Sequence, residues 1–179
     1  THGHFDHSGD MIELSRRNDA PIIAAPELVQ FAEANGAVAG HPLNIGGQWK
    51  FDFGTVKMTH AQHSSSLNVD GVNVYLGEAA GFLLFIEDKV IYFSGDTSSF
   101  GDMALFANYE IDVAILPIGD NFTMGPKAAA GAAKRLDAHY VIPEHYNTFP
   151  MIEQDPEKFK NLLPVGMVQI LAPGENFAI

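Results

Sequence analysis

Apolar positions along this chain follow two patterns, and each predicts a different kind of element. Short runs rich in β-branched and aromatic residues read as strands: Pro21–Ala25, Trp49–Phe53, Thr55–Thr59, Gly81–Glu87, Lys89–Ser94, Asp112–Ile118 and Tyr140–Pro143. Two pairs of these runs lie so close that they read as hairpins, one joined at Gly54 and one turning at Asp88. Met167–Leu171 and Asn176–Ile179 predict two short closing strands. Elsewhere the apolar residues recur at helical spacing. Ser8–Asn18 opens on a candidate Ser cap and carries Met11, Ile12 and Leu14 ahead of Arg16 and Arg17. Pro26–Asn35 has Pro in its first turn and Gly36 beyond its end. Phe100–Ala107, the Ala-rich Pro126–Asp137 and Asp155–Leu163 complete the helices.

Hairpins mixed with strand–helix units predict an α+β architecture, two mixed sheets packed face to face with helices outside. No repeat, low-complexity tract or linker-like stretch breaks the pattern, so residues 1–179 read as a single domain, long enough to bury a core. A hydrophobic fraction of 46% fits a globular protein. With no cysteine there is neither a disulfide framework nor a thiolate metal site. No apolar run reaches the roughly 18–20 residues that cross a bilayer, so no membrane partner is expected. A basic region followed by an apolar stretch is likewise missing from the N-terminus, which makes cytoplasmic the default expectation. Lys and Arg number 10 against 22 Asp and Glu, a formal charge of −12. Such a chain has little with which to neutralise phosphates, and no nucleic-acid partner is expected.

Candidate chemistry gathers at residues 1–7, Thr-His-Gly-His-Phe-Asp-His. His2, His4, Asp6 and His7 are four potential ligands in six positions, and imidazole and carboxylate donors suit zinc and its first-row neighbours. A tight loop can turn the two His of H-x-H toward one ion and Asp6 and His7 toward a second. Two ions roughly 3.5–4 Å apart can share a water and stabilise both attacking and leaving oxygens. A purification-tag remnant would not set Asp6 between His4 and His7 and run straight into a helix.

H-x-H-x-D-H resembles the signature of the metallo-β-lactamase superfamily, and the resemblance extends over nearly the whole chain. In that family a third His follows a strand, as in Ala61-Gln62-His63-Ser64. A carboxylate at a strand end bridges the metals, as in Ser94-Gly95-Asp96-Thr97. A last His follows a late strand, as in Pro143-Glu144-His145. The resemblance implies a four-layer αββα sandwich holding two divalent ions, zinc first and manganese or nickel as alternatives. It implies His2, His4 and His63 on one ion, Asp6, His7 and His145 on the other, and Asp96 bridging, with Asp6 and Asp96 also catalytic. A bridging carboxylate argues against the antibiotic-destroying branch, where cysteine often stands here. His63-Ser64-Ser65-Ser66, Gly95-Asp96-Thr97 and Gly119-Asp120-Asn121 are most similar to the uncharacterised metal-dependent hydrolase branch related to ascorbate-6-phosphate lactonase.

Other residues compete for roles. His60, three before His63, would point to the opposite strand face and is the rival third ligand. His41 in the loop Gly40-His41-Pro42 and His139 at a strand start are candidates mainly for solvated or packed positions. Asp120, Asn121 and Thr123 follow a strand end, where substrate contacts collect, with Phe122 and Met124 as an apolar wall to the same pocket. Lys127 is the lone cation near these late loops. Asp10, Thr97 and Glu144 are candidates to orient the imidazoles.

In the superfamily several strands precede the H-x-H-x-D-H loop, and here they are absent. The expectation is that roughly 40–60 N-terminal residues belong to a companion fragment that covers the edge they would fill, or were lost. A homo-oligomer is also compatible with the sequence. The function expected is metal-assisted hydrolysis of an ester, lactone or phosphoester in a small molecule. A phosphodiesterase or nuclease-like activity and a di-iron redox or metal-binding role are the alternatives.

Overall fold

The computed structural model describes residues 1–179. In chain order its helices are α1 (Phe5–Ser8), α2 (Met11–Asn18), α3 (Pro26–Ala34), α4 (Pro126–Leu136) and α5 (Pro156–Lys160). Its strands are β1 (Ile22–Ala24), β2 (Gly40–Pro42), β3 (Gln48–Phe51), β4 (Gly54–His60), β5 (Ser66–Val69), β6 (Val72–Tyr75), β7 (Ala80–Ile86), β8 (Lys89–Phe93), β9 (Val113–Pro117) and β10 (Tyr140–Glu144). Six strands form one sheet in the order β10-β9-β8-β7-β4-β3, while β1 pairs with β2 and β5 with β6 in two small sheets. No helix is long and apolar enough to cross a membrane.

Strand direction decides where the loops gather. β8, β9 and β10 run parallel, β7 runs against β8, and β4 runs against β7. It follows that β4, β8, β9 and β10 all point the same way, and the loops leaving their C-terminal ends share one edge of the sheet. His63, Asp96, Phe122 and His145 lie on those four loops. The N-terminal segment docks on the same edge, where Ala80 N–H at the start of β7 donates to Thr1 O at 3.1 Å and Gly3 N–H donates to Ser65 Oγ at 3.0 Å.

Alternation along the strands fills the two sheet faces. Leu83, Tyr92, Ala114, Leu116 and Val141 pack with α4 and α5 residues such as Ala129, Ala133, Leu136 and Phe159 in the main core. Val56, Met58 and Ala80 turn to the other face and meet Leu43. Ala24, Leu28, Val29 and Leu76 form a third cluster beneath α3.

Several elements differ from expectation. Gly101–Tyr109 is a 3-10 helix rather than an α-helix. Its core-facing residues, Phe100, Met103, Phe106 and Tyr109, recur every third position, which matches three residues per turn. Ser8 does not cap a long helix. It closes the one-turn α1, its hydroxyl donating to Gly3 O and His4 O, and Asp10 stands at the start of α2. Met167–Leu171 meets β10 through one bridge, Val141 with Val168, and Asn176–Ile179 forms no strand, Phe177 resting instead on Tyr140. Pro164 and Pro173 bracket that segment and remove the donors a longer ladder would use. His41 lies on β2, not in a loop, packed against Trp49 and Phe51. The hairpin β5–β6 was not anticipated.

Candidate metal centre

His4 occupies the position before α1, and its carbonyl accepts from both His7 N–H and Ser8 N–H. That single turn swings Asp6 and His7 away from His2 and His4, so the H-x-H pair and the D-H pair face different neighbours. His2 is buried, as is Asp96, while the Asp6 side chain is 57% exposed. His145 follows β10 with φ 53°, a left-handed conformation that costs a side chain some strain and here turns the ring back over the sheet edge.

All seven predicted donors converge, in two groups that share Asp96. His2, His4, His63 and Asp96 form one, and Asp6, His7, Asp96 and His145 the other, with all donor atoms of a group within 4.8 Å of one another. In the first, His4 Nδ1 lies 2.9 Å from His2 Nε2 and 3.2 Å from His63 Nε2. Asp96 Oδ2 is 3.9 Å from His2 Nε2 and 3.5 Å from His63 Nε2. In the second, His7 Nε2 is 3.3 Å from Asp96 Oδ1 and 3.5 Å from Asp6 Oδ2. His145 Nε2 is 3.3 Å from both Asp6 Oδ2 and Asp96 Oδ2.

These spacings test whether a metal fits. Four ligands about 2.0–2.1 Å from a tetrahedral ion stand about 3.3–3.4 Å from each other, close to the separations above. The outer ring atoms are occupied from behind: Thr1 Oγ1 lies 3.1 Å from His2 Nδ1, and Ser64 Oγ lies 3.0 Å from His4 Nε2. With protons on those outer nitrogens the hydroxyls accept, and the inner nitrogens turn lone pairs toward one another. The buried atoms His7 Nε2 and Asp96 Oδ1 have no hydrogen-bond partner of their own. Lone pairs aimed at a common point repel unless a cation occupies it, so the donor set suits divalent ions.

Electrostatics divide the two groups. Burial pushes His2 down to about 2, helped by His7, and burial likewise lowers His63. These rings are neutral and ready to ligate. For His7 burial works in the same direction, but the charge of Asp96, whose Oδ1 lies 3.3 Å from its Nε2, together with that of Asp6 outweighs it and raises its pKa. Asp96 mirrors this: burial raises it, and His7, His145 and His2 together hold it below the usual carboxylate range. Burial and then the charge of Asp96 push Glu144 up to about 7.

The remaining candidates fall outside. His60 packs edge-on to Phe100 at 5.2 Å and is not in either donor group. His139 is exposed, its Nδ1 3.8 Å from Asp112 Oδ1. Asp10 stands before α2 and forms no side-chain hydrogen bond to the imidazoles. Thr97 acts on the His63 loop instead, accepting from Gln62 N–H at 2.9 Å. Glu144 forms no hydrogen bond to a ring. Asp120 and Lys127 line a separate depression with Ser99. Thr123 N–H donates to Asp120 O, and Asp120 N–H to Met124 O, so the segment 120–124 is a tight turn with Met124 buried in the core rather than walling the pocket. Of that segment Phe122 alone reaches the cavity over the donors, joined there by Phe5 and Phe149, which were not anticipated.

The family model described as the β-lactamase superfamily domain matches residues 1–146. The UPF0173 metal-dependent hydrolase of Enterococcus faecalis is 49% identical over 180 residues, covering 100% of this chain and 79% of its own length. Igni18, a metallo hydrolase of Ignicoccus hospitalis, is 36% identical with a TM-score of 0.85, over 98% of this chain and 75% of its own. The metallo-β-lactamase fold protein YhfI of Bacillus subtilis, 17% identical, superposes with a TM-score of 0.69 over 98% of this chain and 74% of its own.

Proposed function

The chain belongs to the β-lactamase superfamily and is a metal-dependent hydrolase with the metallo-β-lactamase fold, and from that premise we propose that it works through a dinuclear centre. The observation that carries this reading is the sharing of Asp96 between the two donor groups. His2, His4 and His63 would hold one ion, Asp6, His7 and His145 the other, and Asp96 both. Zinc is the first choice for this nitrogen-rich set, with manganese and nickel next. Bound there, the ions supply Lewis acidity and a water whose pKa falls toward neutrality.

The chain's own residues do the positioning. Thr1 and Ser64 hold the outer nitrogens of His2 and His4, which fixes each ring's tautomer and direction. Asp6 is the exposed carboxylate on the cavity floor, placed to orient an attacking water and to accept its proton. The bond broken is that of an ester, lactone or phosphoester in a small molecule. Elemental mass spectrometry on protein purified without chelator or metal-affinity tag tests the centre. About two ions per chain, none of them iron, are expected. Two irons would favour the redox alternative, and no uptake of zinc, manganese or nickel would overturn the reading.

Acid should empty the two groups in order. A raised pKa means that His7 takes up a proton before His2 and His63 as the pH falls, and that proton competes with the metal. His2, held down to about 2, stays unprotonated. The expected outcome of dialysis at stepwise lower pH is loss of one ion per chain before the other. Loss of both in a single step would contradict the assignment of His7 and His2 to different ions.

A further inference from the structure

The cavity over the donor groups is walled mainly by phenyl rings. Its volume is about 380 Å³, of the size that takes a small molecule. Three phenylalanines from three separate segments wall it: Phe5 on α1, Phe122 in the turn after β9, and Phe149 in the loop after β10. They are 77%, 47% and 40% exposed, and Phe122 and Phe149 stand with ring centroids 6.2 Å apart. Core packing does not call for rings held this far open to water. Apolar surface gathered around a polar floor is instead the signature of a binding site.

No Lys or Arg lines this cavity. Lys127 and Arg135 line the separate depression with Asp120, and Arg135 donates there to Ser99 at 3.2 Å. The one wall hydroxyl, Ser64, is engaged with His4. An anionic group away from the donor floor would leave water for phenyl rings with no donor to replace its hydration. The chain's formal charge of −12 adds to that penalty.

We propose that the substrates are neutral esters or lactones bearing an aromatic or bulky apolar group, and that Phe5, Phe122 and Phe149 are the surface that selects them over phosphate-bearing analogues. The proposal rests on the hydrolase reading for the bond cleaved, but not for the surface itself. In the reaction water adds its oxygen to the acyl carbon, the acyl C–O bond breaks, and the departing alkoxide oxygen takes up the proton that the attacking water gives up, by way of Asp6. The acid product then ionises.

The test separates binding from turnover. Benzylacetone is a neutral ketone with no hydrolysable bond; butanone lacks its ring. Both are titrated into the protein as purified, followed by amide chemical shifts, and kcat/KM is measured for γ-phenyl-γ-butyrolactone and phosphogluconolactone. Benzylacetone is expected to bind at least roughly 10-fold tighter than butanone, and Phe122→Ala to remove most of that advantage. Phe122→Leu, which keeps apolar area, should retain affinity within roughly 3-fold. The phenyl lactone should be preferred by roughly 100-fold or more. Equal binding of the two ketones, no effect of Phe122→Ala or Phe149→Ala, or preference for the phosphorylated lactone would overturn the proposal. Ring-dependent ketone binding without hydrolysis of any ester would leave the surface standing and remove the hydrolase reading. Hydrolysis indifferent to the apolar group would do the reverse.

Discussion

On the proposed dinuclear centre, Asp96→Ala is expected to abolish nearly all turnover and to leave one bound ion or none. Its carboxylate is the one group within reach of both donor sets, with Oδ2 3.3 Å from His145 Nε2 and 3.5 Å from His63 Nε2, and Oδ1 3.3 Å from His7 Nε2. Substitution of groups that only support a ligand commonly costs about 10–100-fold in affinity or activity, so a donor to both ions should cost at least about 100-fold. The folding consequence is smaller and of mixed sign. Removing a buried carboxylate ends its own desolvation cost, yet it strips His7 of the partner that raises its pKa. Metal stoichiometry and kcat should therefore fall far more than thermal stability measured without metal. An Asp96→Ala variant that kept two ions and full activity would remove the basis for a shared centre. An Asp96→Asn variant refines the test, because it keeps the shape and loses the charge.

The residues that converge in the two groups were picked out in the sequence by their resemblance to a family motif. Asp96 and His145 each follow an apolar run that forms a strand, and a strand end fixes direction as well as position. Strand geometry set His60 and His63 on opposite faces but did not choose between them; in the structure His60 packs on Phe100 and His63 joins the first group. What was not legible depends on packing between distant segments. Phe5 and Phe149 are ordinary apolar residues until the docking of the N-terminal segment and the loop after β10 bring them over the same floor. Met124 reads as a companion of Phe122 two positions on, but the turn from Asp120 sends it into the core. The hairpin β5–β6 could have been found. Asp70-Gly71 between Val69 and Val72 is a two-residue turn signal, and both central residues adopt positive φ, 50° and 84°. Its strands are short and interrupted by Asn68 and Asn73, which weakened the alternation. The helix Phe100–Ala107 erred by period, since a three-residue repeat looks helical without being α-helical.

Gly119→Ala should show how tightly the backbone holds the second donor group. Ile118 N–H donates to Glu144 O at 3.1 Å, so the chain leaving β9 runs directly beside the chain leaving β10. A Cβ at Gly119 would lie 2.3 Å from His145 O and 3.0 Å from Ile152 Cβ. Neither neighbour can yield easily. Asn147 N–H donates to Ile152 O at 3.0 Å, and Asn147 Oδ1 accepts from Gln154 N–H at 2.8 Å, which closes the loop on itself. His145 is already in a left-handed conformation with φ 53°, so it has little freedom to adjust. The added methyl must then push the His145 backbone, and with it a ring nitrogen that stands 3.3 Å from Asp6 and Asp96. Overpacking of this kind costs about 1–3 kcal/mol of stability. Misplacing a catalytic group by roughly 1 Å costs about 100-fold in rate. The expected result is a folded protein with a lowered Tm, close to one ion per chain, and kcat reduced by about that factor. Gly101→Ala is the control, because a Cβ there meets nothing within 4 Å and its φ needs no glycine. If Gly119→Ala retained both ions and full activity, His145 would be free to hold its place without the backbone contact, and its role as a donor fixed by the ends of β9 and β10 would have to be abandoned.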